Sequence, residues 1–214
     1  MKIFLDFDDS LFHTKKFRGE LVKIFLKNGV PRKKFFDTYY DYPKKTSSGL
    51  KKYNPNWQIR LLEKSLNINS VKIKKDLRGF IRNTKKFVFP DVKNFLESFK
   101  RKNLYLISYG YTDFQREKIK NCGLFEKFYR VVIADDNKNV IVRRFVEEKE
   151  IFAFIDDRIE NINCVKKHFP NSATFLLKRK EGRYNDKKTK AVDFEVKNLK
   201  EAGKIMEKIP DGKR

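Results

Sequence analysis

Lys2-Ile3-Phe4-Leu5-Asp6-Phe7-Asp8-Asp9-Ser10-Leu11 opens the chain with a short apolar run that ends on acids. Residues 2–6 read as a buried strand with Asp6 at its carboxyl end. Alternate side chains of a strand share a face, so Asp6 and Asp8 can face one pocket even where the chain begins to turn. Two close carboxylates suit a hard cation such as Mg²⁺, which prefers oxygen ligands. They also permit a division of labour between a nucleophile and a general acid. Taken alone, the same residues also read as an acidic strand-to-loop junction without chemistry.

Moving outward, Phe17, Leu21, Ile24 and Phe25 fall on one helical face, and Asn28-Gly29 before Pro31 stops that helix. A second helix is predicted over 32–40, then a loop of turn formers over 42–49. Trp57, Leu61, Leu62 and Leu66 predict a third helix, and Ile73, Leu77, Phe80 and Ile81 a fourth. Residues 12–88 thus read as all helical. After Pro90 the pattern changes. Asp91 is expected to cap a helix carrying Val92, Phe95, Leu96 and Phe99. Strand-like runs at 104–108, 130–134, 151–156 and 173–177 then alternate with helical runs at 113–122, about 139–149 and 159–168. A last helix is expected at about 198–208. Short apolar strands separated by amphipathic helices predict an α/β fold with a parallel sheet and right-handed crossovers.

In open α/β sheets ligands bind at the carboxyl ends of the strands. Asp6, Ser108 and the pair Asp156-Asp157 all fall at such ends, which predicts a shared site. Asp156-Asp157 follows a very apolar strand, where two acids are costly unless paired or metal-bound. The alternative is that Asp157 caps the next helix, and the two roles can coexist. Ser108, followed by Tyr109-Gly110 and a helix start, offers a hydroxyl and backbone N–H groups to a phosphoryl oxygen; a serine in an ordinary turn is the plainer reading. Lys138, after Asp135-Asp136-Asn137, is the expected cation for the carboxylates, with Arg143 or Arg144 as substitutes and a plain surface lysine as the competitor.

In order along the chain, Asp6/Asp8 with Ser10, then Ser108, Lys138 and Asp156/Asp157, resemble the four motifs of the haloacid dehalogenase-like (HAD) superfamily. The resemblance covers roughly 1–11 and 88–180. Asp9 stands where Gly is frequent in that pattern, and Ser10 where Thr is usual. The resemblance implies a Rossmann-like core over 1–11 and 88–214, with a helical C1-type cap inserted at 12–87. It also implies a Mg²⁺-dependent phosphatase. Asp6 would be the nucleophile, forming an aspartyl-phosphate, and Asp8 the general acid and base, with its pKa raised by the carboxylate cluster. Ser108 and Lys138 would hold the phosphoryl group. Asp6, the Asp8 main-chain carbonyl and Asp157 would bind Mg²⁺, with Asp156 assisting.

The net charge of +23 on 214 residues admits nucleic acid as a partner, although the basic residues are spread along the whole chain. The expected substrate is a small phosphorylated metabolite or nucleotide. A polynucleotide end phosphatase, or a non-catalytic nucleic-acid-binding protein on a HAD scaffold, are the alternatives. No run approaches the roughly 20 apolar residues that span a bilayer, and the apolar run after Met1-Lys2 meets Asp6 too soon for a signal peptide. No membrane partner and a cytoplasmic location are expected. Cys122 and Cys164 read as small buried apolar residues, and His13 as a solvent-facing loop residue.

Overall fold

The computed structural model describes residues 1–39 and 52–209; the turn-rich stretch 42–49, with Tyr40 and Tyr42, lies outside them. Six strands form one sheet: β1 Lys2–Leu5, β2 Leu104–Tyr109, β3 Arg130–Ala134, β4 Phe152–Asp156, β5 Ala173–Leu177 and β6 Phe194–Val196. Their order is β3-β2-β1-β4-β5-β6, every neighbouring pair parallel. β1 is central because both its faces are apolar. Ile3 and Leu5 enter the core on one side and Phe4 the core on the other, all essentially inaccessible to solvent. Sequence reading missed β6. Three residues with a central glutamate give too short an alternation to register as a strand, and β6 is fixed by pairing with β5 at the sheet edge.

Nine α-helices of four residues or more stand among the described residues. The first four, which follow β1 and precede the helix at Asp91–Glu97, form an inserted group: α1 Thr14–Lys27, α2 Arg32–Tyr39, α3 Pro55–Glu63 and α4 Ser70–Arg82. Phe17, Leu21, Phe25, Phe35, Ile59, Leu62, Ile73 and Ile81 make their shared interior, which runs continuously into the core under Ile3 and Leu5. The chain leaves and re-enters the sheet at one place. His13 N donates to Phe87 O at 2.7 Å and Phe89 N to Leu11 O at 3.0 Å, an antiparallel clasp around Phe12 and Val88.

The remaining helices are α5 Asp91–Glu97, α6 Thr112–Asn121, α7 Lys138–Arg143, α8 Ile159–His168 and α9 Leu199–Met206. α5, α6 and α9 cover the Ile3/Leu5 face, while α7 and α8 cover the Phe4 face. Two local expectations are corrected. Asp91 does not cap α5: Pro90 holds the cap position without a side-chain bond. Its carboxylate instead accepts from Arg179 Nη2 at 2.9 Å and from Leu199 N at 2.7 Å, tying α5 to β5 and α9. The helix expected to reach about 149 stops at Arg143. There Lys2 Nζ donates to Phe145 O and Glu150 Oε2, drawing 145–150 back against β1 instead of letting it continue as helix.

Candidate active site

β1 lies between β2 and β4, so the crossovers run in opposite directions from it and open a crevice at the strand ends. A cavity of about 470 Å³ occupies that crevice; Asp6, Asp8, Lys138, Asp157 and Arg183 line it. Of the residues singled out from the sequence, these acids and the lysine converge. Asp156 sits directly behind them, fully buried at the end of β4.

Lys138 ties the two sides together. Its Nζ donates to Asp6 Oδ1 at 2.5 Å and to Asp156 Oδ2 at 2.6 Å, and its side chain is almost wholly buried. Burial alone would push its ammonium down, but Asp156 and Asp6 raise it well above the ordinary lysine value. It therefore stays charged as the bridge between two carboxylates. Asp156 Oδ1 accepts from Arg158 N at 2.9 Å and Asn161 Nδ2 at 3.1 Å, so its acceptor capacity is largely used. Asp157 does not cap α8. Arg158 holds that position, and Asp186 Oδ2 accepts from Ile159 N at 2.9 Å instead.

Asp8 is held by residues that sequence reading did not single out. Lys118 Nζ donates to Asp8 Oδ1 at 2.8 Å, Gln115 Nε2 to Asp8 Oδ2 at 2.7 Å, and Thr14 Oγ1 to Asp8 Oδ1 at 2.8 Å. Lys118 and Gln115 are one helical turn apart on α6 and both buried, a burial that nothing in the sequence signals. The expectation of a raised Asp8 pKa is corrected. Burial pushes it up, but Lys118 and Arg183 outweigh burial and hold the carboxyl below its usual range. Gln115 Nε2 also donates to Ser108 Oγ at 2.8 Å, so Ser108 lies buried behind Asp8, and its hydroxyl donates to Tyr109 O at 3.4 Å. Gly110 makes this approach possible. Its φ of +152° favours glycine, and a Cβ there would come within 3.2 Å of the Gln115 side chain.

Asp9 is the one non-glycine residue with positive φ among the described residues, at +61°. That backbone explains why glycine would suit the position, and aspartate is among the few side chains that tolerate it. Asp9 Oδ1 accepts from Thr14 N at 3.3 Å, and Arg183 Nε donates to its other oxygen. Arg183 comes from the basic segment after β5. Its neighbour Arg179 is not at the site, being turned to Asp91 and Ser10 O.

Five carboxylates (Asp6, Asp8, Asp9, Asp156 and Asp157) therefore face three cations, Lys118, Lys138 and Arg183, a formal surplus of two negative charges when every acid is ionised. The surplus registers in the acids. Burial raises Asp6 to about 7, with Asp156 and Asp8 adding to it against Lys138. Asp157 is raised well above the carboxylate range by burial, then by Asp6, Asp156 and Asp9. One oxygen each of Asp6, Asp156 and Asp157 lies within 4.8 Å of the others. An all-oxygen cluster short of two positive charges fits a hard divalent cation such as Mg²⁺. The Asp8 carboxylate is outside this cluster, committed to Lys118 and Gln115.

Other candidates lie elsewhere. Arg144 pairs with Asp136, and Arg143 stacks over Phe169. His13 is half-buried, not solvent-facing: it caps α1 by accepting from Lys16 N and stacks on Phe89. His168 Nδ1 bonds Cys164 O near the end of α8. Cys122 is buried as expected, but Cys164 is only half-buried, at the edge of the cavity. Trp57 is half-buried among the inserted helices.

No protein-family model matches the chain, and no curated protein sequence does. Solved structures do. A haloacid dehalogenase-like hydrolase from Burkholderia xenovorans LB400 superposes with a TM-score of 0.71 at 15% identity, covering 94% of this chain and 96% of that one. The magnesium-bound HAD-hydrolase YfnB from Bacillus subtilis gives 0.62 at 13%, over 96% and 97%. The L-2-haloacid dehalogenase from Xanthobacter autotrophicus gives 0.63 at 13%, over 98% and 99%. The chain has the α/β fold of the haloacid dehalogenase-like hydrolases, with the Rossmann-like core read from its sequence. No described helix is long and apolar enough to cross a membrane.

Proposed function

We propose that the chain is a Mg²⁺-dependent phosphomonoester hydrolase with Asp6 as its nucleophile. The observation that carries this reading is the surplus of two negative charges around Asp6, Asp156 and Asp157. Asp6 and Asp157 would hold the cation, with the Asp8 main-chain carbonyl completing the set and Asp156 beside them. When bound, the cation offsets repulsion between the nucleophile and the phosphoryl oxygens.

Asp6 attacks phosphorus while the ester oxygen departs, giving an aspartyl-phosphate and an alcohol. Asp8 supplies the proton to that oxygen, then takes one from the water that attacks phosphorus and frees Asp6. In the resting site Lys118 and Arg183 hold Asp8 ionised. Asp8 takes up its proton as the substrate's anionic oxygens approach and engage those cations. Lys138 keeps Asp6 aligned and lends positive charge to the transferring group, and Ser108 Oγ would turn its proton from the Tyr109 carbonyl to a phosphoryl oxygen. The inserted helices at 12–87 act as a cap, hinged at the clasp between 11–13 and 87–89.

The fold also serves dehalogenases, but a site with this carboxylate excess repels a free halocarboxylate, whereas a cation-loaded one attracts phosphate. The deciding assay measures phosphate release from a panel of phosphorylated metabolites, nucleotides and 3′- or 5′-phosphorylated oligonucleotides, with and without Mg²⁺. Turnover should require Mg²⁺ and vanish in Asp6→Asn. Undiminished release by that variant overturns the assignment.

A further inference from the structure

A second cavity, about 280 Å³, opens beside the first, between the inserted helices and α6. Asp8, Tyr109, Gly110 and Arg183 line both, so a group leaving beside Asp8 passes directly from one to the other. We infer that this second cavity receives the leaving group and is built for an alcohol that carries a planar aromatic ring, as in a nucleoside monophosphate. The inference rests on the proposed phosphomonoesterase reading and names its substrate class.

The walls carry the argument. Half-buried Tyr39, Tyr53, Tyr111 and Phe114 face the cavity, and Tyr109 stands at its mouth. Tyr53 lies 4.5 Å from Tyr39 and 5.5 Å from Phe114, ring centroid to centroid, so the rings form one continuous surface. The surface is braced from behind. Tyr39 stacks on buried Phe35, Tyr53 Oη donates to Gln58 Oε1 at 2.6 Å, and Phe114 lies against buried Phe17. Rings fixed in this way bind another ring without first having to be ordered. Aromatic walls also bind cations. Here, however, Arg18, Lys118 and Arg183 line the same cavity against one carboxylate, that of Asp8, and this basic excess in the lining disfavours a cationic occupant. A neutral or anionic ring system is what remains.

The test compares substrates with the same primary leaving oxygen. Adenosine, uridine and thymidine 5′-monophosphates, ribose 5-phosphate and phosphocholine are assayed with Mg²⁺, and binding of each is followed by calorimetry. At least one nucleotide should exceed ribose 5-phosphate in kcat/KM by about tenfold or more, the size of one base–aromatic stacking contact. Phe114→Leu and Tyr53→Leu should bring that ratio toward one. Ribose 5-phosphate or phosphocholine matching the best nucleotide overturns the inference and leaves the phosphatase reading standing. If nothing is hydrolysed, the phosphatase reading fails. Calorimetry then decides: tighter binding of a nucleotide than of ribose 5-phosphate supports the aromatic site, and equal or absent binding overturns it.

Discussion

Lys118 Nζ stands 2.8 Å from Asp8 Oδ1 with the rings of Phe7, Phe12 and Phe17 around it at 4.7–5.1 Å. A buried ammonium in an aromatic sleeve has one carboxylate to answer to, and that carboxylate is the proposed general acid. Lys118→Met removes the main influence holding Asp8 low, so the Asp8 pKa should rise and the alkaline limb of the pH–rate profile, where the general acid loses its proton, should move up. A pH profile that is unchanged in the variant contradicts the assignment.

The same pair makes a stability prediction. A group depressed on folding contributes stability that is present above its unfolded value, about 3.9, and lost as pH falls through its lower folded value. Wild type should therefore exceed Lys118→Met by up to about 3 kcal/mol at neutral pH, with the gap closing below pH 4. Urea unfolding at pH 7 and pH 3 measures it.

Lys138 bridges Asp6 and Asp156 in a dry setting. Lys138→Met leaves both acids without their cation, which should cost about 3–5 kcal/mol in metal-free protein. Added Mg²⁺ should recover part of that loss, read as a rise in Tm larger than wild type shows.

Asp6 and Asp157 titrate in the opposite sense to Asp8. For a carboxyl raised on folding, stability is fully present below the unfolded value near 3.9 and declines as pH rises toward the folded value, about 7 for Asp6. Chelated protein should therefore lose stability between pH 4 and pH 7. Asp157→Asn should flatten that slope and raise Tm at pH 8, by about 2–4 °C for each kcal/mol recovered. It should also weaken the Tm rise that Mg²⁺ gives wild type.

Asp9 separates backbone strain from ion pairing. Its φ of +61° favours glycine, while its carboxylate pairs with Arg183. Asp9→Gly and Asp9→Ala both lose the pair, but only alanine keeps the strain. Asp9→Ala should be less stable than Asp9→Gly by about 1 kcal/mol in urea unfolding.

Much of this was legible in the sequence, because the deciding residues sit where period and position agree. Apolar runs ending in Asp6, Ser108 and Asp156 announce a parallel sheet whose strand ends share a crevice, and the order of those motifs identified the fold. The parts that escaped are set by tertiary contacts. Nothing local says that Lys118 and Gln115 on α6 reach Asp8 across more than a hundred residues, or that Arg183 folds back onto Asp9. The raised pKa expected for Asp8 failed for the same reason: the acids around it were visible, and the buried cations that answer them were not. Asp91 and the end of α7 likewise depend on partners distant in the chain, Arg179 and Lys2.

The central claim is that phosphate leaves its substrate onto Asp6. Rapid acid quench of a single turnover with Mg²⁺, followed by peptide mass spectrometry, reads this directly. A transient phosphoryl mass increment should appear on the peptide containing Asp6. Phosphate release with that peptide unmodified throughout, or with the increment on another residue, would contradict the account.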